Sequence, residues 1–439
     1  MVLNVNGLLS TPPNRSRSST LVGGFCLHIY NPNNKDSLYI VIICCKKTSI
    51  LVYYTDMNEK TFIYRHIYRK IKENIFQGKV ILIYGARQIG KTTLLKHLRG
   101  EYENVRFLNG DEPSVQENFS NRKNSNEIKQ FIGDSKLVFI DEAQNIEGCA
   151  KSIKLIYDTY PEIQIIATGS SAFDLQNMMN EPLTGRNLSL YMNPLMVSEF
   201  QTTLEHEKDI YKYTEDMLIW GMYPEVRLLS GEKRKERLLQ LTNDYLLKDI
   251  LTFESIRKPA LVQNILKILA DQVGSTFSIN KISNDLNVSR NTVEKYIQIL
   301  EQAYIIFRLP AYSGKERIKA RLLDKIYFWD NGIRNGILGR LTDMDIREDK
   351  GALFENFIIS EKMKMKRLFS NDTNYYFWRE KNDQEIDIIE EGDDKKIRGY
   401  ECKYSLDNVK VPIKSPVEKI EVINSKNYYD FLSDSSDKL

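Results

Sequence analysis

Cysteine is scarce in this 439-residue sequence: there are five (Cys26, Cys44, Cys45, Cys149, Cys402), with no C-x-x-C pair. An odd, dispersed set argues against a disulfide framework or a zinc ribbon and makes the reducing cytoplasm the expected location. Histidine is scarcer still, and His28, His66, His97 and His206 form no clustered metal-ligand pattern. Long apolar runs are also missing. The longest, Leu38 to Cys45, stops at Lys46-Lys47, whereas a bilayer-crossing helix needs about 20 residues. That run lies too deep for a signal peptide and lacks a small-residue cleavage site, so no membrane partner is expected. Charge of one sign is not in excess, with 62 Lys and Arg against 59 Asp and Glu, a net +3. A histone-like coat on polyanions is thereby excluded, while local basic patches remain open to nucleic acid.

What is present has the balance of a folded protein, 42% hydrophobic and 28% charged, long enough for two to four domains. Residues 1–56 differ from the rest: a Pro/Ser/Arg/Asn stretch, two short β-like runs and three of the five cysteines, without helical periodicity. They read as a poorly ordered or spurious extension ahead of a start at Met57, or else as a small accessory domain. From Met57 the pattern becomes orderly. A helix carrying Phe62, Ile63, His66, Ile67, Ile71 and Ile75 leads into apolar strands at Val80–Tyr84, Val105–Leu108, Leu137–Ile140, Ile163–Ala167 and Leu188–Met192. Continuous apolar strands separated by helices predict an α/β fold with a parallel sheet between helices. Glu205 to Lys267 reads as mostly helical, and a further α/β unit follows Lys325.

Gly85-Ala86-Arg87-Gln88-Ile89-Gly90-Lys91-Thr92 fits G-x-x-x-x-G-K-[ST] between a strand and a helix. The glycines let backbone N–H groups curl around phosphates at the positive end of the helix. Lys91 is expected on the β- and γ-phosphates and Thr92 on Mg²⁺, with Thr93 completing the binding segment. Fifty residues after Lys91, Leu137-Val138-Phe139-Ile140-Asp141-Glu142 describes a buried strand that ends in carboxylates. Asp141 is expected to hold Mg²⁺ through water, and Glu142 to orient and deprotonate the attacking water. The intervening strand favours the NTPase branch with a catalytic Glu, and the lack of a suitably placed N-K-x-D makes ATP the nucleotide. In Thr168-Gly169-Ser170-Ser171 a hydroxyl, assigned to Ser170, is either a nucleotide sensor or part of an ordinary turn. Arg186 is either an arginine finger reaching a neighbouring subunit or a solvated surface group.

In order along the chain, Gly85-Ala-Arg-Gln-Ile-Gly-Lys-Thr92, Phe139-Ile-Asp-Glu-Ala-Gln144, Thr168-Gly-Ser-Ser171, Leu183-Thr-Gly-Arg186, Asn193-Pro-Leu195 and Gly221-Met-Tyr-Pro224 resemble a family of bacterial and archaeal AAA-type P-loop ATPases with a C-terminal PD-(D/E)xK nuclease-like domain. The resemblance covers Met57 to about Phe431. It implies an AAA-type core at 57–204, a helical lid at 205–267, a winged helix at 268–322 and a nuclease-like domain at 323–439. It supplies no second-sensor arginine in the lid and no physiological substrate.

Phe277 to Leu309 reads as a helix–turn–helix with a wing. Ile279, Ile282, Leu286, Val293, Ile297 and Leu300 are expected inside, and Ser289, Arg290, Asn291 and Lys295 exposed on a recognition helix. Such a unit serves either DNA or protein docking. In the last unit, period-two alternation puts Glu385, Asp387 and Ile389 on one strand face, and Glu401 and Lys403 on one face of the returning strand with Cys402 opposite. A hairpin then brings Asp387, Glu401 and Lys403 together: two carboxylates for a divalent metal and a lysine for the attacking water or phosphate. Glu355 matches the family's additional acid. Other E-x-K copies at Glu127–Lys129 and Glu348–Lys350 lack such a hairpin. The function expected is a Mg²⁺-dependent ATPase that couples nucleotide state to DNA engagement, with or without cleavage. The alternative is an ATP-controlled protein-docking switch with an inactive nuclease-like domain. DNA, a protein partner and further copies of the chain are the expected macromolecular partners.

Overall fold

The computed structural model describes residues 62–120, 123–169, 183–244, 258–313, 324–369, 373–380, 384–392, 395–405 and 415–433, with the backbone of four N-terminal strands. Those strands, β1 (Ser19–Val22), β2 (Phe25–Tyr30), β3 (Tyr39–Cys45) and β4 (Thr48–Tyr54), pair antiparallel in that order. The segment thus carries four strands where two β-like runs were read. It belongs to one unit, Met1–Phe62, and everything from Ile63 onward to a second. The division falls a few residues beyond the expected start at Met57.

In the second unit, β5 (Val80–Tyr84), β6 (Val105–Asn109), β7 (Leu137–Asp141), β8 (Gln164–Gly169) and β9 (Asn187–Tyr191) form a parallel sheet in the order β6-β7-β8-β5-β9. The central β5, β7 and β8 are buried along their whole length, which is why they read as unbroken apolar runs. Helices α1 (His66–Asn74), α2 (Lys91–Arg99), α3 (Pro113–Asn118), α4 (Ser125–Ile132) and α5 (Cys149–Thr159) alternate with them. The first helix starts at His66 rather than Phe62, because Arg65 is extended at φ −118° and ψ 131°. Parallel pairing delivers Tyr84, Asp141 and Gly169 to one edge of the sheet. Loops after those strands therefore share a site.

After α6 (Val197–Gln201) come α7 (Thr214–Trp220), α8 (Pro224–Arg227), α9 (Gly231–Asp244), α10 (Pro259–Asp271), α11 (Ile279–Asp285) and α12 (Arg290–Gln302). Then β10 (Ile306–Leu309) pairs antiparallel with β11 (Lys325–Phe328), and α13 (Asn331–Leu338) follows. This pairing crosses the boundary expected at 322/323. The helix after it is joined to α7: Asn335 Nδ2 donates to the carbonyls of Leu218 and Ile219 at 3.0 and 2.8 Å. Asp330 accepts from the Met222 N–H at 2.6 Å, and a Cβ on Gly221 would lie 2.1 Å from its Oδ1. Gly221 is required by that close approach and by its φ of +72°.

The remaining elements are α14 (Lys350–Phe369), β12 (Asn374–Arg379), β13 (Glu385–Glu391), β14 (Ile397–Cys402), β15 (Ile420–Ile423) and α15 (Tyr428–Ser433). The four strands form one sheet in chain order, with the first two pairings antiparallel and the last parallel. A bulge breaks the alternation expected in β13. Tyr376 faces Ile389 and Trp378 faces Ile386, so three residues of β13 span two of β12. Ile386 and Ile389 consequently enter one apolar cluster with Tyr376 and Val417, and Ile389 is not with Glu385 and Asp387.

Candidate functional site

The loop after β5 turns sharply. Gly85, Gln88 and Gly90 have φ of +157°, +61° and +96°, and a Cβ on Gly85 would lie 2.3 Å from the Met192 carbonyl oxygen. Ala86 and Ile89 are buried, Arg87 and Gly90 half-buried and Gln88 exposed. Lys91 is buried at the first position of α2, its Nζ donating to the carbonyls of Gly85 and Ala86 at 2.8 Å each. The loop thus gathers an ammonium and a helix N-terminus at one point, a donor set that fits a polyphosphate. Thr92 is half-buried and Thr93 exposed.

Next along this edge, Asp141 is buried and its Oδ1 accepts from the Thr168 hydroxyl, whose oxygen also lies 3.3 Å from the Glu142 N–H. Glu142 holds the left-handed conformation (φ +51°, ψ +46°), unusual for a non-glycine residue, and its carboxylate accepts from Gln144 Nε2. A threonine hydroxyl and a carboxylate are oxygen ligands of the kind Mg²⁺ takes while keeping several waters. Ser170 lies outside the described residues, and Thr168 is the hydroxyl seen against the acids. Arg186 is placed differently. It precedes β9 beside Val80, whose N–H its carbonyl accepts at 2.9 Å, and its Nε pairs with Asp158 at 3.1 Å. That is the opposite end of β5 from Gly85, about 17 Å along the strand. The fold therefore does not bring Arg186 to the nucleotide loop of its own chain.

Two arginines near the loop escaped the sequence reading. Arg237 of α9 donates to Gln88 Oε1 at 3.0 Å and to Glu225 Oε2 at 2.7 Å. Arg65, 4% exposed, pairs with Glu199 and donates to the Ile89 carbonyl within the loop. Neither belongs to a local motif; only folding joins them to the loop.

In the helix pair α11–α12, Ile282, Val293, Ile297 and Leu300 are buried, while Ile279 and Leu286 are half-buried. Ser289, Arg290, Asn291 and Lys295 are exposed. The Ser289 hydroxyl caps α12, accepting from the Thr292 N–H at 3.1 Å, so it serves the helix end.

The C-terminal acids form a second cluster. Glu355, Glu385 and Asp387 each offer a carboxylate oxygen, all within 4.8 Å of one another. Glu401, expected as the direct partner of Asp387, lies outside this trio, which Glu385 joins, although the Glu401 charge still bears on Asp387. Glu401 instead accepts from Lys403 Nζ at 2.9 Å, while its buried Oε2 has no hydrogen-bond partner. Lys403 is half-buried, not enclosed in an apolar core. The backbone N–H of Cys402 donates to Asp387 Oδ2 at 2.8 Å, and its thiol is pushed up by burial and then by the Asp387 and Glu355 charges. Burial, followed by the charges of Glu355 and Glu401, raises the Asp387 carboxyl well above its ordinary range. Lys325, unforeseen and 1% exposed, pairs with Glu355 at 2.9 Å and also with Glu385. Burial opposes its charge, but Glu355, Asp387 and Glu385 together raise its pKa. The Tyr327 hydroxyl donates to Glu355 at 2.6 Å. Of the other E-x-K copies, Glu127 is spent on a capping box with Asn124.

The order of the parallel sheet and the loop after β5 match a P-loop NTPase fold, and a family described as AAA domain matches residues 77–201. Two families described as domains of unknown function, DUF8612 and DUF4143, match residues 211–343 and 350–424. The first spans α7 to α13, in line with the hydrogen bonds from Asn335 of α13 to α7. An uncharacterized protein of Methanocaldococcus jannaschii is 27% identical over 75% of this chain and 76% of its own length. One of Haemophilus influenzae is 27% identical over 63% and 71% respectively. Among solved structures, a Walker-type ATPase of Pyrococcus abyssi is 16% identical, covers 64% of this chain and 99% of its own, and has a TM-score of 0.45. No helix among the described residues is long and apolar enough to cross a membrane.

Proposed function

We propose that the protein binds ATP with Mg²⁺ and hydrolyses it, and that the nucleotide state governs engagement of DNA by a winged-helix-like unit built on α11 and α12. The observation that carries this reading is the meeting of Lys91, Asp141, Glu142 and Thr168 on one edge of the parallel sheet. Lys91 and the loop N–H groups would hold the β- and γ-phosphates, with Thr92 and Asp141 beside Mg²⁺. Glu142 would take the proton of the attacking water. Bound Mg²⁺ supplies neutralising charge to the phosphates. Exposed Arg290, Asn291 and Lys295 offer the groups that contact phosphates and base edges. The test is ATP hydrolysis with and without plasmid DNA over a salt series, with Mg²⁺ or Mn²⁺, scoring nicks in the same tubes. DNA-stimulated, salt-sensitive turnover supports the reading; no nucleotide binding by the intact chain sinks it.

For the C-terminal unit we infer a PD-(D/E)xK-like metal site in which Glu355, Asp387 and Glu401, joined by Glu385, would hold one divalent ion beside Lys403. Three gathered carboxylates and the unpartnered Glu401 oxygen support it. A bound ion there would supply Lewis-acid polarisation of a phosphodiester. One observation favours a second reading, an ATP-controlled docking switch without cleavage: Lys325 already neutralises Glu355 and Glu385. Nicking that requires Mg²⁺ or Mn²⁺ favours the first reading, and tight ATP binding without salt-sensitive DNA binding favours the second.

A further inference from the structure

Arg65 lies 20 residues ahead of the phosphate loop, outside the matched segment 77–201, and precedes α1. Its guanidinium is spent in three directions. Nε pairs with Glu199 Oε2 at 2.9 Å, Nη1 donates to the Ile89 carbonyl at 2.9 Å, and Nη2 to the Asn193 carbonyl at 2.5 Å. Glu199 is 2% exposed and its carboxylate also accepts from the N–H groups of His66 and Met196 at 2.8 and 2.9 Å. Every charge in this cluster is matched, so the arginine acts through its geometry and not as a free positive field.

The Ile89 contact has a directional consequence. In a planar trans peptide the N–H of the following residue points opposite to the carbonyl. Fixing the Ile89 carbonyl toward Arg65 fixes the Gly90 N–H in the opposite direction, at the turn where the loop enters α2. The Ile89 side chain lies close over Gly85, where an added Cβ would meet it at 2.5 Å. A loop set beforehand by buried contacts spends less binding energy on ordering itself.

We propose that Arg65 is a positioning residue for the nucleotide, holding the phosphate loop in its binding shape through Ile89 and Asn193, with Glu199 orienting the guanidinium. The proposal rests on the ATPase reading. Because ATP at saturation shapes the loop itself, loss of Arg65 raises KM and Kd for ATP while kcat changes less. Removing Arg65 alone strands a buried carboxylate, so Arg65→Lys and the pair Arg65→Met with Glu199→Gln are the informative variants. Full-chain protein is assayed for ATP KM and kcat, for equilibrium binding of a fluorescent ATP analogue, and for Tm. The expected result is a roughly tenfold rise in KM and Kd in both variants, with kcat within about threefold of wild type and cooperative melting retained. Unchanged Kd in a folded Arg65→Lys variant overturns the proposal and leaves the ATPase reading intact. Wild-type protein that binds no ATP overturns both.

Discussion

Lys325 holds its ammonium 2.9 Å from a Glu355 carboxylate oxygen, joining the strand β11 to the long helix α14. The pair is nearly enclosed, with the lysine side chain 1% and the glutamate 14% exposed. It ties the antiparallel pair after the helix–turn–helix to the acidic cluster of the last unit. Replacing Lys325 by Met leaves Glu355, Glu385 and Asp387 facing one another without compensation, and should cost about 3 kcal/mol of stability at neutral pH. Millimolar Mn²⁺ should recover part of the lost Tm if the acids accept an ion. A Lys325→Met variant as stable as wild type means the ammonium is not compensating these acids.

At the nucleotide loop, Lys91→Ala should abolish ATP binding measured by equilibrium methods. Glu142→Gln should retain binding and lose about 10²-fold or more in turnover, because an amide cannot accept the water's proton. Turnover unchanged by the Glu142→Gln substitution removes Glu142 from the role of base.

For the acidic cluster, Asp387→Ala and Lys403→Ala should each abolish metal-dependent nicking of plasmid DNA while leaving ATP hydrolysis within about twofold. Both activities are scored in one preparation. Nicking that survives both substitutions points to a contaminating nuclease.

Acid stability should depend on Asp349, which directly precedes α14 and pairs with Arg334 and Arg347. Burial acts to raise its pKa, but hydrogen bonds from Arg347 and Arg334 outweigh it and hold the carboxyl at about 2. A depressed native pKa contributes stability above the unfolded value near 4, and that contribution disappears as pH falls from about 4 to about 2. Asp349→Asn should therefore lower stability at pH 7 by about 1 kcal/mol, allowing for its partial exposure, with the difference closing by about pH 2. Denaturant melts across this range check it. A difference that persists unchanged at pH 2 means the cost is packing, not charge.

The sequence by itself determined the parallel sheet, the phosphate loop and the acids at the end of β7. These depend on local physics: unbroken apolar runs form central strands, glycines allow a tight loop, and a helix starts at once behind it. It also determined the helix pair 279–302, where 3.6-residue periodicity buries Ile282, Val293, Ile297 and Leu300 but leaves Ile279 and Leu286 half-buried. Strand alternation in β13 was legible only as far as the bulge, because one extra residue turns Ile389 back onto the face of Ile386. Tertiary structure alone decided which charges meet. Arg65 and Glu199 are 134 residues apart, Arg237 and Gln88 149, and Lys325 and Glu355 30. Tertiary structure likewise set Arg186 at the far end of the sheet and drew Glu385 rather than Glu401 into the acidic trio. Such pairs have no periodicity to announce them. They form where burial makes an unpaired charge too costly to keep, and the fold determines which partner is near enough to prevent it.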